Sequence, residues 1–206
     1  MEAHNITVTG VLHVGAHNCE ELREYRSLGL PSSAIVWIEA FPHKVDEAVA
    51  RGVPNVYQAV ITDKHNDIVH MNLANNVESS SVLPFGTHTK RHPTVKFVEQ
   101  VELRTTTIDQ FTIDNKIDIS KLNFWCIDIQ GAELMALRGA VNALQHVTML
   151  YIEVNVDELY LGCGLLPEVD AYLEKRGLSR VAINMTNRGW GDALYVRRQA
   201  ADTISA

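Results

Sequence analysis

Four apolar runs of this chain hand over to polar groups able to do chemistry: Gly15 with His17, Glu39, Asp128 with Gln130, and Glu153 with Asn155. The first run, Val11, Leu12 and Val14, stops at Gly15-Ala16 and is followed by the helix formers Glu20-Glu21-Leu22-Arg23-Glu24, a strand–turn–helix pattern. In an open α/β sheet the crevice beyond the carboxyl end of the first strand takes nucleotide-like ligands, because a glycine lets the ligand approach the backbone and the next helix presents free N–H groups. The second run, Ala34 to Ile38, ends in Glu39, roughly the twenty-residue offset at which an acidic side chain meets ribose hydroxyls. Together these features predict an adenosine-containing ligand.

The elements that position these groups alternate. Glu20 to Leu28 reads as a helix stopped by Gly29, and Pro42 opens a second helix that Gly52 and Pro54 end. Val56 to Thr62 reads as a third strand, and Ile68 to Leu73 alternates like its hairpin partner across the polar turn Asp63 to Asn66. Ala74 to Thr94 has no periodic pattern, and a stretch of that length predicts a lid over substrate or cofactor. Val98 to Thr107 is extended. Leu122 to Ile127 is apolar enough for a central strand ending at Asp128, a helix is expected from Ala132 to Leu144, and Met149 to Ile152 is a fifth strand ending at Glu153. Pro167 to Lys175 is a further helix. Arg180 to Met185 and Ala193 to Arg197 are strands joined by a hairpin-type turn over Asn187 to Asp192, which makes the last strand antiparallel.

Composition sets the outer bounds. With 206 residues, 46% apolar and 21% charged, the chain suits one globular domain over 1–206, standing alone or as part of a longer biosynthetic polypeptide. A formal charge of −7, with its densest basic patch at Lys90-Arg91-His92, argues against nucleic acid as partner. No run approaches the roughly 20 apolar residues of a membrane span, the N-terminus lacks a signal-peptide pattern, and a cytoplasmic location is expected. Cys19, Cys126 and Cys163 are scattered, so neither a disulfide framework nor a cysteine zinc site is expected.

A dinucleotide-dependent enzyme would carry G-x-G-x-x-G, whose later glycines admit a pyrophosphate. Here only Gly15 is kept, with His17 and the Asn18-Cys19 region where the others would stand. A ligand without a pyrophosphate fits better, and S-adenosylmethionine is one. A nicotinamide-dependent sugar reductase or epimerase would share the sheet and Glu39 but needs the missing fingerprint and a Tyr-x-x-x-Lys pair; a non-catalytic S-adenosylmethionine-binding module is the other alternative.

The segments VLHVGAHNCEEL, IVWIEAFP, ESSSVLP, TTTIDQF, FWCIDIQGAELMALRGA, YIEVN, ELYLGC and GWGDALYV, over about residues 11 to 197, resemble in order and spacing the FkbM-type family of S-adenosylmethionine-dependent methyltransferases. The resemblance implies a class I methyltransferase fold: a Rossmann-like three-layer α/β sandwich with a mostly parallel seven-stranded sheet and an antiparallel last strand. It also implies methyl transfer to a hydroxyl, often on a sugar or oligosaccharide. Gly15, Ala16 and His17 would border the methionine part of the cofactor, Glu39 would hold the ribose, and Asp128 would lie near the sulfonium. Ala40, Ala59, Ser81 and Gln130 complete the expected cofactor set. Cys19 stands where the family usually has glycine, and its larger side chain is expected to crowd the cofactor.

Methyl transfer from a sulfonium needs an aligned acceptor oxygen and removal of its proton. Asp128 and Glu153 are the carboxylates best placed for that, unless they only cap the following helix or pair with a neighbouring arginine. His17 is either a base or a wall of the cofactor site. Glu133 is either a helix-dipole partner or a substrate contact. Tyr160 and Trp190 stack on a sugar or pack the core, and Asp192 beside them would orient sugar hydroxyls. Asp128, Glu153 and Asn155 together form an oxygen-donor set suited to Mg²⁺ if a metal takes part.

Overall fold

The computed structural model describes residues 6–198. In chain order the elements are β1 (Val11–Val14), α1 (Leu22–Ser27), β2 (Ile35–Glu39), α2 (Pro42–Ala50), β3 (Val56–Gln58), β4 (Val60–Ile61), β5 (Ile68–Ala74), α3 (His88–Arg91), β6 (Phe97–Thr106), α4 (Ile108–Asp114), β7 (Phe124–Ile127), α5 (Glu133–Arg138), β8 (Met149–Asn155), α6 (Leu166–Glu174), β9 (Leu178–Met185) and β10 (Trp190–Arg197).

The main sheet has seven strands in the order β3-β2-β1-β7-β8-β10-β9. Its first five strands are parallel neighbours, and β10 runs antiparallel between β8 and β9. The alternation of side chains along the strands feeds two apolar layers. Leu12, Val14, Val36, Ile38, Trp125 and Ile127 face one layer, closed by α4, α5 and α6 through Phe111, Leu137 and Leu173. Val11, Ile35, Trp37, Phe124 and Met149 face the other, closed by Tyr25 of α1 and Ala48 of α2. Every residue of β1, β2 and β7 is buried, as strands covered on both faces require. The expected three-layer α/β sandwich is therefore the fold observed, antiparallel last strand included.

Strand order reverses between β1 and β7, the switch point of a doubly wound sheet and the usual place for a ligand crevice. The loops leaving these two strands touch. Gly15 has φ +90, and a Cβ there would lie 1.8 Å from the carbonyl oxygen of Asp128. Both the left-handed conformation and the lack of space require glycine.

The structure corrects four readings of local structure. Val56 to Thr62 is not one strand: the chain breaks at Ala59, whose N–H bonds to the Glu39 carbonyl, so β3 stays in the main sheet and β4 leaves it. β5 does not form a hairpin with that segment. The ten-residue β6 lies between them, parallel to β4 and antiparallel to β5, in a second sheet ordered β4-β6-β5. Helix α5 ends at Arg138 rather than near Leu144, with Gly139 as its C-cap, where a Cβ would lie 2.3 Å from the Thr62 carbonyl oxygen. Trp190 and Asp192 belong to β10 and not to the preceding turn, so their side chains share one face of the sheet.

Gly15→Ala is expected to cost at least about 3 kcal/mol, combining backbone strain with a clash no rotamer relieves. That corresponds to a fall of roughly 6–12 °C in Tm for a chain of this size, readable by thermal denaturation.

Candidate active site

The carboxyl ends of β1, β2, β7 and β8 open on a single cavity of about 680 Å³, within the range of small-molecule sites. At the β1–β2 end the turn is built on backbone bonds: the N–H groups of Gly15 and Ala16 both donate to the Ile38 carbonyl, at 2.9 and 3.0 Å. Glu39 is buried, and its carboxylate accepts the N–H of His17 at 2.7 Å and that of Phe41 at 3.0 Å. Two charge-assisted bonds meet the cost of burying that carboxylate and fix His17 in a left-handed conformation, φ 43. Beside Glu39 the wall is apolar, formed by Ile38, Ala40, Ala59, Val60, Ile61 and Met71.

At the β7–β8 end the side chain of Gln130 acts as a clip. Its amide nitrogen donates to Asp128 Oδ1 at 2.6 Å and to Glu153 Oε2 at 3.2 Å, while its amide oxygen accepts the Tyr160 hydroxyl at 2.8 Å. The Ser81 hydroxyl donates to the Gln130 carbonyl at 2.7 Å, tying the loop above the cavity to the same residue. Glu133, at the start of α5, accepts the N–H groups of Ile129 (2.9 Å) and Gly131 (3.0 Å) and so holds the turn that carries Gln130.

One oxygen from each of Asp128, Glu133 and Glu153 lies within 4.8 Å of the others. Like charges at that separation, screened from bulk water, oppose one another's ionisation. Burial, reinforced by Asp128, pushes Glu133 up to about 7. Burial first, then Asp128 and Glu133, raises Glu153 well above the ordinary carboxylate range. Asp128 is itself exposed on the cavity wall, and the enclosure of the site, with Asp192 nearby, raises it against the hydrogen bond from Gln130. Burial likewise raises Asp192, against a hydrogen bond from Tyr151. Seven carboxylates line the cavity, those of Glu20, Glu21, Glu39, Glu78, Asp128, Glu153 and Asp192, and among the described residues no lysine or arginine does. A cation in this cavity would be attracted by its lining, whereas a phosphate would meet these carboxylates with no lysine or arginine among the described lining residues.

Residues 13–179 match the methyltransferase FkbM domain, most of the chain. The chain belongs to the FkbM methyltransferase family. No curated relative matches it. Among solved structures it is similar to a protein of the NADB-Rossmann superfamily from Streptococcus agalactiae (11% identity, TM-score 0.49), spanning 95% of this chain but only 65% of that one. It is also similar to a SAM-dependent methyltransferase from Bacteroides fragilis in complex with S-adenosyl-L-homocysteine (9% identity, TM-score 0.48; 96% of this chain, 76% of that one). A third is the magnesium protoporphyrin IX methyltransferase from Synechocystis with bound SAM (11% identity, TM-score 0.42; 96% and 74%).

On this methyltransferase domain the expected cofactor residues Gly15, Ala16, His17, Glu39, Ala40, Ala59, Ser81, Asp128 and Gln130 all border the cavity, as do Glu153, Tyr160, Trp190 and Asp192. Two expected residues do not. Glu133 is buried behind the wall in its turn, and Asn155 is wholly buried, with neither amide atom hydrogen-bonded. The oxygen cluster that forms adds Glu133 to Asp128 and Glu153. Cys19 (φ 53) packs with Ala16 and Tyr25 in the core and is not on the cavity wall, so the expected crowding of the cofactor does not arise. Sequence reasoning missed His13, Tyr151, His88 and His92, all on the wall. The first two point from strand faces whose outward residues look like core. The last two had a readable signal, the i, i+4 spacing of His88-Thr89-Lys90-Arg91-His92 in the stretch without periodicity.

Glu133→Ala leaves two buried N–H groups without an acceptor and is expected to cost about 2–4 kcal/mol, whereas Glu133→Gln keeps an oxygen for them, removes a repelled charge and stays within about 1 kcal/mol of the parent. Urea denaturation of the two variants checks this. Equal losses would show that charge, not the turn, is what Glu133 supplies.

Proposed function

We propose that this domain is an S-adenosylmethionine-dependent O-methyltransferase whose acceptor is a hydroxyl of a sugar or glycan. The observation that carries this reading is a cavity at the β1–β7 switch point lined by carboxylates and, among the described residues, by no lysine or arginine. Such a lining stabilises a sulfonium cation and opposes the pyrophosphate of a nicotinamide dinucleotide. S-adenosylmethionine supplies a methyl group already activated on positive sulfur. Glu39, held by two backbone N–H groups and still carrying free lone pairs, would accept the ribose hydroxyls. The apolar wall from Ile38 to Met71 suits a purine face, with Ala40 and Ala59 small enough to leave room. Gly15, Ala16 and His17 would border the methionine part, and Ser81 and Gln130 would close over it.

Removal of the acceptor proton falls to Asp128 or Glu153. Burial raises both above the ordinary carboxylate range, and Gln130 orients both. His17 is the further base in this scheme. Trp190, Tyr160 and Asp192 border the acceptor end, and Asn155 would act from behind Trp190, its partner across β8 and β10. The cluster of Asp128, Glu133 and Glu153 offers hard oxygen donors of the kind Mg²⁺ takes, and such an ion would lower the pKa of an acceptor hydroxyl.

Release of S-adenosylhomocysteine over a panel of mono- and oligosaccharides tests the activity, and calorimetric titration tests the cofactor. Binding of a nicotinamide dinucleotide in preference to S-adenosylmethionine would overturn the reading, and cofactor binding without turnover on any saccharide would mark a silent binding module. Asp128→Asn is expected to keep cofactor affinity within about threefold and to lower kcat by roughly 10²–10⁴. Glu39→Ala is expected to weaken cofactor binding by about ten- to a hundredfold through lost charge-assisted bonds, and to lower Tm because His17 and Phe41 lose their acceptor. If Mg²⁺ assists, excess chelator abolishes turnover and added Mg²⁺ restores it; turnover that withstands the chelator assigns proton removal to the side chains alone.

A further inference from the structure

Helix α3, in the segment above the cavity, and the β9–β10 hairpin are joined by a side-chain hydrogen bond: Arg188 Nη1 donates to His92 Nδ1 at 3.0 Å. Both partners are held. The His92 N–H bonds the His88 carbonyl at 2.8 Å, and its ring stacks on that of His88 with centroids 4.7 Å apart. In the hairpin turn the Thr186 hydroxyl donates to the Trp190 carbonyl at 2.6 Å and accepts the Arg188 N–H at 3.2 Å, while the Gly189 carbonyl accepts the Val156 N–H at 2.9 Å. A guanidinium has donors only, so Nδ1 of His92 is the acceptor and the proton of the neutral ring resides on Nε2. Burial first, and Arg188 second, lower the His92 pKa and keep the ring neutral. His92 lines the cavity and Arg188 does not. The two nitrogens of an imidazole point to nearly opposite sides, so the edge away from Arg188, with Nε2–H, is the one turned to the cavity. Nε2 has no hydrogen-bond partner among the described residues and, unlike Nδ1 of His88, is not sealed from water.

We propose that His92 is a specificity-determining residue for the acceptor, its Nε2–H donating to one oxygen of the saccharide, and that Arg188 is the positioning residue that sets the ring. The proposal rests on the function proposed above and adds to it a fixed point of acceptor recognition. Trp190, two residues on from Arg188, also lines the cavity, as do Leu159 and Tyr160, in the cluster it packs against. An aromatic face beside one oriented donor suits a sugar: the face covers its C–H surface, and the donor fixes one oxygen. Fastening α3 does not by itself require a ring on the cavity wall, since Arg91 ties the same helix to Asp157 at 2.7 Å and neither of those residues lines the cavity. A donor already immobilised by its neighbours loses little freedom on binding, and a site built around it discriminates against ligands that lack the matching oxygen.

The test uses the S-adenosylhomocysteine release assay with the best acceptor of the saccharide panel and each of its monodeoxy derivatives. With the wild-type protein one derivative is expected to fall about tenfold or more in kcat/KM. His92→Phe keeps a ring on His88 and removes both nitrogens. It is expected to raise the acceptor KM about tenfold with kcat within about threefold, and to erase the penalty on that one derivative, because donor and oxygen are then lost together. The calorimetric Kd for S-adenosylmethionine stays unchanged. His92→Gln, whose amide can donate where Nε2–H did, recovers part of the KM loss. Arg188→Met frees the ring to turn and raises KM about three- to fivefold, whereas Arg188→Lys keeps a donor on Nδ1 and restores it. A wild-type acceptor KM in His92→Phe, or deoxy penalties that this variant leaves unchanged, overturns the proposal while leaving sugar O-methylation standing. A fall in Tm with KM, kcat and cofactor Kd all worsening together marks a merely structural bond and overturns it too. Absence of turnover with every saccharide, with cofactor still bound, overturns both readings.

Discussion

The close approach of Gly15 to the Asp128 carbonyl is the constraint on which the site depends. Two parallel strands that leave a sheet in opposite directions separate beyond their ends, and a ligand crevice opens there only if the two exiting loops stay in contact at its floor. A missing Cβ makes that contact possible, since any side chain at Gly15 would occupy the carbonyl itself. The consequences run outward from this point. The backbone of Gly15 and Ala16 is free to bond Ile38, which carries the next residue, Glu39, under the His17 N–H, while Asp128 is held at the cavity floor by its own N–H to Val14.

Electrostatics then explains why Gln130 and Glu133 are arranged as they are. At an effective dielectric of about 20, two unit charges some 4–5 Å apart repel by roughly 3–4 kcal/mol, comparable to the total stability margin one mutation can remove. Three carboxylates at such spacing persist because donors are aimed between them: the Gln130 amide bridges Asp128 and Glu153, and backbone N–H groups hold Glu133. Residual repulsion appears as raised pKa values, so the cluster stores an unmet demand for positive charge. A sulfonium bound in the cavity would meet that demand, which links the cost of building the site to the ligand it would take.

The architecture was legible because its signals are local and strong. Apolar runs ending in Gly15, Glu39, Asp128 and Glu153 define the parallel strands and the edge at which they end, and burial on both faces leaves little ambiguity. What escaped were features decided by long-range pairing. Nothing in Val56 to Leu73 announces that β6, which begins only at Phe97, will insert between two segments that look like a hairpin. Glu133 reads as a first-turn acid because sequence does not reveal that the preceding turn curls back onto its carboxylate. Cys19 looked like a cofactor contact by position in a motif, yet its left-handed backbone turns it into the core. His88 and His92 lie in the stretch with no periodic pattern, where spacing was visible but no element was expected to give it meaning.

That stretch was expected to be a lid, and its fastenings say what kind. Ser81 bonds the Gln130 carbonyl and pairs with Asn72, Phe85 bridges to Tyr160, and Gly86 bonds Leu159 at 2.7 Å. A segment tied at three points to the rim and to the clip beneath it behaves as a fixed roof. The tie through Gln130 has a further effect, since one residue fixes Asp128 and Glu153 on its side-chain nitrogen, Tyr160 on its side-chain oxygen and Ser81 on its backbone. Any ligand that lifts the roof must strain the hydrogen bonds that orient the two carboxylates, and any change in their protonation alters the bonds that hold the roof. The position of the roof and the orientation of the carboxylates are therefore coupled through a single side chain, held in its left-handed turn (φ 55) by Glu133 and by the packing of Gly131 against Tyr160.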